Sequence, residues 1–367
     1  MNLIFDGNYL FYKTLFIFSG YSSGKRLLED EKDQSMFMRK IATDMSHAIR
    51  TFGNPDRIVF TIDSRSWRKD IEIEDGAYKG TRTKDEGAVD WDTFYKLMNE
   101  FGVILRKKGI IVSKEERAEG DDLMYLWADR FFQGGEDSVI ITGDKDLTQC
   151  IRMNEKNFVV VYNPNSKTRK IVAPQGFAKW LRSEDYDLFD ASTFMNRSKD
   201  LIAEALHSVE IQEIDPAYLI FEKVITGDAG DAVPPIWTWE SKGKTYRVTP
   251  AKAERIYEIV NRTKFVDDVY DLPNRAMEIA NGILATCKQT APAEVIKSRL
   301  IRNLILVYLD DRTIPIEIQQ NFTEAFANSK DKFLSAHNYD MNHILAETRF
   351  ISAGKTFEAD IFKQFDI

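Results

Sequence analysis

Residues 139–148 read VIITGDKDLT, and residues 224–233 repeat the phrase as VITGDAGDAV. Each is an apolar run closed by Gly-Asp, with a second aspartate shortly after: Asp144 then Asp146, Asp228 then Asp231. A short apolar run bounded by turn residues reads as a buried strand or a buried piece of helix. Gly and Asp are ordinary turn formers, and Asp caps helices. The echo therefore has two readings, punctuation of the chain or carboxylates gathered around a divalent metal.

Working outward, NLIF (2–5) ends in Asp6 and RIVFTI (57–62) ends in Asp63. GIIVS (109–113) leads to Glu119-Gly120-Asp121-Asp122, which opens a helical pattern carried by Leu123, Leu126, Trp127, Phe131 and Phe132. Short β-branched runs alternate with helical periodicity over 36–52 and 91–107. That alternation predicts an α/β domain with a central, mostly parallel sheet flanked by helices. Such sheets bind ligands beyond the C-terminal ends of their strands, so Asp6, Asp63 and Asp144 are expected in one crevice. FVVVY (158–162) and the segment after Asn163-Pro164 predict a hairpin that makes the sheet mixed at its edge. From about residue 180 strands give way to charge-studded helices, with a clear start at Thr249-Pro250 before AKAERIYEIV and further helices near 292–309 and 340–349.

Length and composition bound the answer. A chain of 367 residues, 43% hydrophobic, can bury two moderate cores, and two domains are expected with a boundary near 180. Its longest apolar run in the C-terminal half, LILVYL (304–309), is too short to span a bilayer, and the start lacks a cationic leader, which predicts a cytosolic protein without a membrane partner. Cys150 and Cys287 form no disulfide framework, and four scattered histidines argue against a His-rich metal site. A net charge of −8 speaks against coating nucleic acid nonspecifically, yet basic clusters at Arg65, Arg68, Lys69, at Lys79, Arg82, Lys84, at Arg106–Lys108 and at Lys242, Lys244, Arg247 flank the acidic motifs.

The candidate metal ligands are Asp6, Asp63, Glu119, Asp121, Asp144, Asp146, Asp228 and Asp231. Magnesium takes oxygen ligands and commonly one or two carboxylates per ion, so this set suits two hydrated ions rather than one. Packed without cations the carboxylates would repel and hold protons. Two metals can polarise a scissile phosphate and stabilise the departing oxygen, without histidine or cysteine. On composition and spacing, phosphodiester hydrolysis, another Mg-dependent activity, and plain surface or capping acids all remain open.

The ordered phrases IFDGNY, FTIDSRSWRKD, AYKGTRTK, AEGDDLM, ITGDKDLTQ and TGDAGDAVP resemble the 5′-nuclease family, which includes flap endonucleases and the exonuclease domains of bacterial DNA polymerases. Within it the chain is most similar to the ribonucleases H of T4-like bacteriophages, over roughly residues 2–310. The resemblance implies a catalytic α/β domain over 1–180 with a helical arch near 65–90, a mainly helical duplex-binding region over 181–350, and a tail, 351–367, that resembles clamp-binding peptides. It places Asp6, Asp63, Glu119, Asp121 and Asp144 around a first Mg2+ ion, for which Mn2+ could substitute, and Asp146, Asp228 and Asp231 around a second. Asp122, adjacent to that pattern, is left either to cap the helix or to support the ligands from behind. Lys79 and Arg82 match the arch cations that hold the scissile phosphate; with Asp6, Asp63, Asp121 and Asp144 they form the implied catalytic set.

Tyr78 is expected to stack on a terminal base, Asn8 to orient the substrate end, and Lys252 and Arg255 to grip duplex phosphates. The family's glycine-rich hairpin after Asp231 is replaced by PPIWTWESKGKTYRV, which puts the family's potassium site in doubt and predicts a surface loop that could face substrate. The implied substrates are RNA/DNA hybrid and duplex DNA with a 5′ end or flap. The implied activity is removal of RNA primers during phage replication, by a monomer in the cytoplasm of the infected bacterium. The phage sliding clamp and single-strand DNA-binding protein are the implied partners. A flap nuclease with little RNA preference and a non-catalytic DNA-binding scaffold are the competing readings.

Overall fold

The apolar phrases between residues 2 and 163 become strands, whereas Val224-Ile225-Thr226 closes a helix, Pro216–Thr226. The computed structural model describes residues 1–20, 26–53, 55–73, 76–80, 85, 87–165, 169–182, 209–263 and 268–329. They divide into two units. The first comprises Met1–Ser64, Lys84–Ile214 and the segment from Gln320; the second comprises Arg65–Thr83 and Asp215–Gln319.

The first unit is built on an eight-stranded sheet: β1 (Asn2–Asp6), β2 (Arg57–Thr61), β3 (Ile111–Ser113), β4 (Ser138–Ile141), β5 (Arg152–Met153), β6 (Phe158–Asn163), β7 (Lys170–Pro174) and β8 (Glu210–Ile214). The order is β8-β7-β6-β4-β1-β2-β3, with β5 pairing β6. The central strands β6, β4, β1, β2 and β3 run parallel, whereas β6 and β7 are antiparallel, the mixed edge expected from the Asn163-Pro164 turn. In register, Phe5 lies beside Phe60 and beside Ile141, so the ends of β1, β2 and β4 share one edge.

Helices α1 (Gly7–Ser19), α2 (Glu31–Thr51) and α3 (Trp91–Lys107) share a core with alternate strand residues, among them Leu3, Phe5, Phe60 and Ile141. Phe11 anchors it, with edge-on contacts to Phe37, Phe94 and Phe101. Ile4, Val59 and Ile140, one residue out of phase, are also fully buried, as strands covered on both faces require. Helix α4 (Gly120–Gln133) packs against β1 and β4, and its Trp127 meets Phe322 edge-on at 5.2 Å. A short α5 (Phe177–Arg182) follows β7.

In the second unit, α6 (Pro216–Thr226) is capped by Asp215, whose carboxylate accepts from the Ala217 and Tyr218 amides, with Pro216 in the first turn. Helices α7 (Pro250–Thr263), α8 (Ala276–Cys287) and α9 (Ala293–Val307) complete a separate core around Phe221, Ile256, Ile279, Ile283 and Leu300. Helix α10 (Ile316–Ser329) follows. Among the described residues no helix is long and apolar enough to cross a membrane.

The division differs from a single cut near 180. Residues 65–83 join the second unit because Ile73 and Tyr78 bury their side chains in its core, and Gln320 onward returns to the first. Among the described residues of the arch segment, the helical element is the 3₁₀ turn Trp67–Asp70, followed by the ladder of Glu72–Ile73 with Gly76–Ala77. Arg68 is 2% exposed and its guanidinium lies over the Trp67 ring, so it is a packing residue and not part of a solvated basic face. The helix expected near 340–349 and the tail 351–367 lie outside the described residues.

Candidate active site

The first unit gathers its acids at the edge shared by β1, β2 and β4. Asp6 is both the last residue of β1 and the N-cap of α1: its Oδ1 accepts from the Tyr9 amide at 2.8 Å, and its Oδ2 accepts from the Thr142 hydroxyl at 2.8 Å. Burial, together with the nearby charges of Asp63 and Asp144, pushes its carboxyl up to about 7 against those two hydrogen bonds. A carboxyl so raised is one that a cation would return to the ionised form.

Asp63 is exposed, two residues beyond β2. Its amide donates to Asn8 Oδ1 at 3.0 Å, and its Oδ1 accepts from the Gly120 amide at 2.6 Å, at the N-terminus of α4. A Cβ on Gly120 would lie 2.8 Å from that same oxygen, so a side chain there would displace the Asp63 carboxylate. Asn8 thus orients an acid from the first turn of α1. Asp144 is exposed; its amide donates to Thr142 Oγ1 at 3.0 Å and its Oδ1 accepts from the Asp146 amide at 2.9 Å. The Tyr9 ring lies so close over Gly143 that a Cβ there would come within 2.3 Å of it.

Glu119 and Asp122 form a reciprocal capping box at the start of α4, with Asp122 Oδ2 accepting from the Glu119 amide at 3.1 Å. Asp122, fully buried, therefore caps, as its place beside the acidic pair suggests. Asp121, between them, is half-buried.

In the second unit, Asp228 and Asp231 sit in the turn after α6. Gly227 has φ +70, and a Cβ on it would fall 2.3 Å from the Val233 carbonyl. The turn is closed by a mutual backbone pair, Asp228 amide to Val233 oxygen at 2.9 Å and Val233 amide to Asp228 oxygen at 2.7 Å. Buried Asn303 pins it by donating to the carbonyls of Val224 at 2.8 Å and Pro234 at 2.9 Å. Burial would raise the Asp228 carboxyl, but Lys223 at 2.8 Å and the amides of Gly230 and Asp231 hold it below the ordinary range.

Asp231 Oδ2 accepts from the Tyr78 hydroxyl at 3.1 Å and lies 3.9 Å from Lys79 Nζ, while its carbonyl accepts the Lys79 amide at 2.8 Å. Lys79 adopts φ +55 and its ammonium lies 5.0 Å from the Tyr78 ring centre. Tyr78 is only 4% exposed. Its structural role is to pack and to orient Asp231, because a buried ring has no face to offer a base. Arg82 lies outside the described residues. On α7, Arg255 is exposed and Lys252 half-buried.

Thr142, Lys223, Gly120 and Asn303 escape a reading by motif. Thr142 and Lys223 lie within the quoted phrases or one helical turn before them, whereas the roles of Gly120 and Asn303 exist only through chain crossings.

The carboxylates of Asp6, Asp63 and Asp144 and the Thr142 hydroxyl are oxygen donors, a set that fits a hard divalent cation such as Mg2+ or Mn2+. The fold and these acids define a metal-dependent phosphodiester hydrolase. Residues 1–181 match the 5′-3′ exonuclease N-terminal, resolvase-like domain. The chain shares its fold with a bacteriophage T5 protein co-crystallised with metal ions, at 16% identity and TM-score 0.50, covering 90% of this chain and all (100%) of that one. The zinc-bound T5 5′-exonuclease aligns with 17% identity and TM-score 0.47 over 94% of this chain and 98% of its own. A T5 flap endonuclease complex with DNA and metal ions aligns with 18% identity and TM-score 0.46, with the same coverage of 94% and 98%. No curated protein matches the chain significantly in sequence.

Proposed function

We propose that this nuclease is a Mg2+-dependent 5′ to 3′ exonuclease that removes RNA primers and adjacent DNA in phage replication, with flap endonuclease activity. The observation that carries the reading is Asp6 at one sheet edge, its carboxyl raised first by burial and then by the charges of Asp63 and Asp144, with oxygen donors around it. Asp6, Asp63, Glu119, Asp121 and Asp144 would hold the first ion; Asp146, Asp228 and Asp231 are assigned to a second by resemblance. When bound, the ions polarise the phosphodiester and ease water attack. The chain's own part is positional. Asn8 and the Gly120 amide fix Asp63, Thr142 fixes Asp6 and Asp144, and Asp231 and Tyr78 set Lys79 to face a phosphate. Arg82 would add a second cation.

The primer reading, the placement beside the ribonucleases H of T4-like phages, monomeric action in the host cytoplasm, and recruitment by the sliding clamp and single-strand DNA-binding protein rest on the sequence resemblance. One assay separates the alternatives: 5′-labelled RNA/DNA hybrid, nicked DNA and flap DNA, each with Mg2+ and with chelator. Cleavage of the hybrid from its 5′ end, lost with chelator, is the expected result. Cleavage of flaps alone would make it a flap nuclease without RNA preference, and no metal-dependent cleavage would leave a DNA-binding scaffold.

A further inference from the structure

The segment 234–248, expected as a loop, carries a β-hairpin of the second unit. Thr238–Ser241 pairs antiparallel with Lys244–Arg247 across a Lys242-Gly243 turn, where both residues have positive φ, +51 and +70. Positive φ at both central positions is the two-residue hairpin turn that matches strand twist. The base is fixed, with the Val248 amide donating to the Trp237 carbonyl and Arg299 donating to the Ile236 carbonyl.

Period two puts Trp239 and Ser241 on one face with their partners Tyr246 and Lys244. Trp239 and Tyr246 stack with centres 5.9 Å apart and planes 17° from parallel, and the Lys252 ammonium of α7 lies 4.5 Å from the Trp239 ring centre. Tyr246 remains 39% exposed. On that face the cations are Lys244 and, from α7, Lys252; Arg247 and Glu240 alternate onto the opposite face and Lys242 sits in the turn.

We infer that this aromatic and cationic face is a stacking platform for a single-stranded segment of the nucleic-acid substrate. The inference rests on the nuclease reading and adds to it a contact separate from the carboxylates. Rings favour a single strand because unpaired bases offer their faces, whereas a duplex keeps them stacked inside and presents phosphates that cations alone would hold. The cations then follow the backbone of the same strand. A hairpin already ordered loses little freedom on binding.

The test measures binding by fluorescence anisotropy, in chelator so that nothing is cut, to a blunt duplex and to the same duplex with an oligothymidylate tail. Tyr246→Thr removes the ring and keeps a β-branched strand residue; Tyr246→Phe keeps the ring. Tyr246→Thr is expected to weaken the tailed duplex about tenfold and the blunt one less than about twofold, with Tyr246→Phe near the parent. Parental affinity of Tyr246→Thr for the tailed duplex would overturn the inference and leave the ring pair as a hairpin brace. Equal losses on both duplexes would overturn it in favour of a duplex clamp. A matched thermal melt of each variant shows that the fold is kept. Cleavage by the parent in Mg2+ is scored separately, so failure of the nuclease reading and failure of the platform give different results.

Discussion

Asp63 is held by two contacts that a small change would remove. Gly120→Ala would drive a methyl group into the carboxylate oxygen now 2.8 Å from the site of its Cβ. Misplacement of an essential group by about 1 Å can cost about a hundredfold in rate, so single-turnover cleavage should fall by one to two orders of magnitude while the melting temperature moves little. Asp63→Asn should abolish cleavage, and Asp228→Asn, whose carboxylate is already paired with Lys223, should keep part of it. Parental rates for Asp63→Asn would remove that residue from the catalytic set. Asn303→Ala leaves the Val224 and Pro234 carbonyls without that buried donor, a change worth about 1–3 kcal/mol of stability, readable by denaturant titration.

Among the elements, α10 returns aromatic side chains to the first unit. Phe322 is 2% exposed and meets the Trp127 ring edge-on, and Phe326 lies 5.4 Å from the same ring. Phe322→Ala should cost about 3–5 kcal/mol, seen as a lower urea midpoint with unchanged slope. The end of α9 leads to a charge cluster of a different kind. The Arg312 guanidinium is shared by Asp268 and Asp310, bonding the latter at 2.6 Å. It holds the Asp268 carboxyl below its ordinary value, and overrides burial to do the same at Asp310. A carboxyl lowered in the folded state contributes stability that is complete above its unfolded pKa, about 3.9, and is lost as pH falls through the lower folded value. The parent's melting temperature should therefore drop as pH falls below about 4, and Arg312→Ala should be less stable at neutral pH with a shallower acid decline.

For the molecule as a whole, the sequence resemblance alone motivates the proposal that the tail 361–367 (IFKQFDI), distant in sequence from the acids, is the segment a sliding clamp recruits. Its deletion should leave cleavage of a short oligonucleotide near the parental rate and remove stimulation by the clamp on a long primed template. Tethering would raise the local enzyme concentration at a primer junction without changing the chemistry. Persistent clamp stimulation after the deletion would place the contact elsewhere.

The strands up to Phe158–Asn163, the helix starts and the acids after them were readable because each is a contiguous pattern: period two or 3.6, a cap, a Gly-Asp turn; the strand Glu210–Ile214 and the 238–247 hairpin, where helices or a loop were expected, were not. Asp6, Asp63 and Asp144 could even be assigned to one edge, since parallel strands place their ends together. The mixed sheet edge and the Thr249-Pro250 helix start were local in the same way. Tertiary structure decided the rest. Residues 65–83 pack with the second unit because Ile73 and Tyr78 find apolar partners more than a hundred residues away in sequence, and that packing buries a tyrosine that otherwise looks suited to stack on a base. Gly120 matters only because Asp63 arrives from another strand, and Asn303 only because its helix crosses a distant turn. Such contacts follow from chain crossings that no local period records.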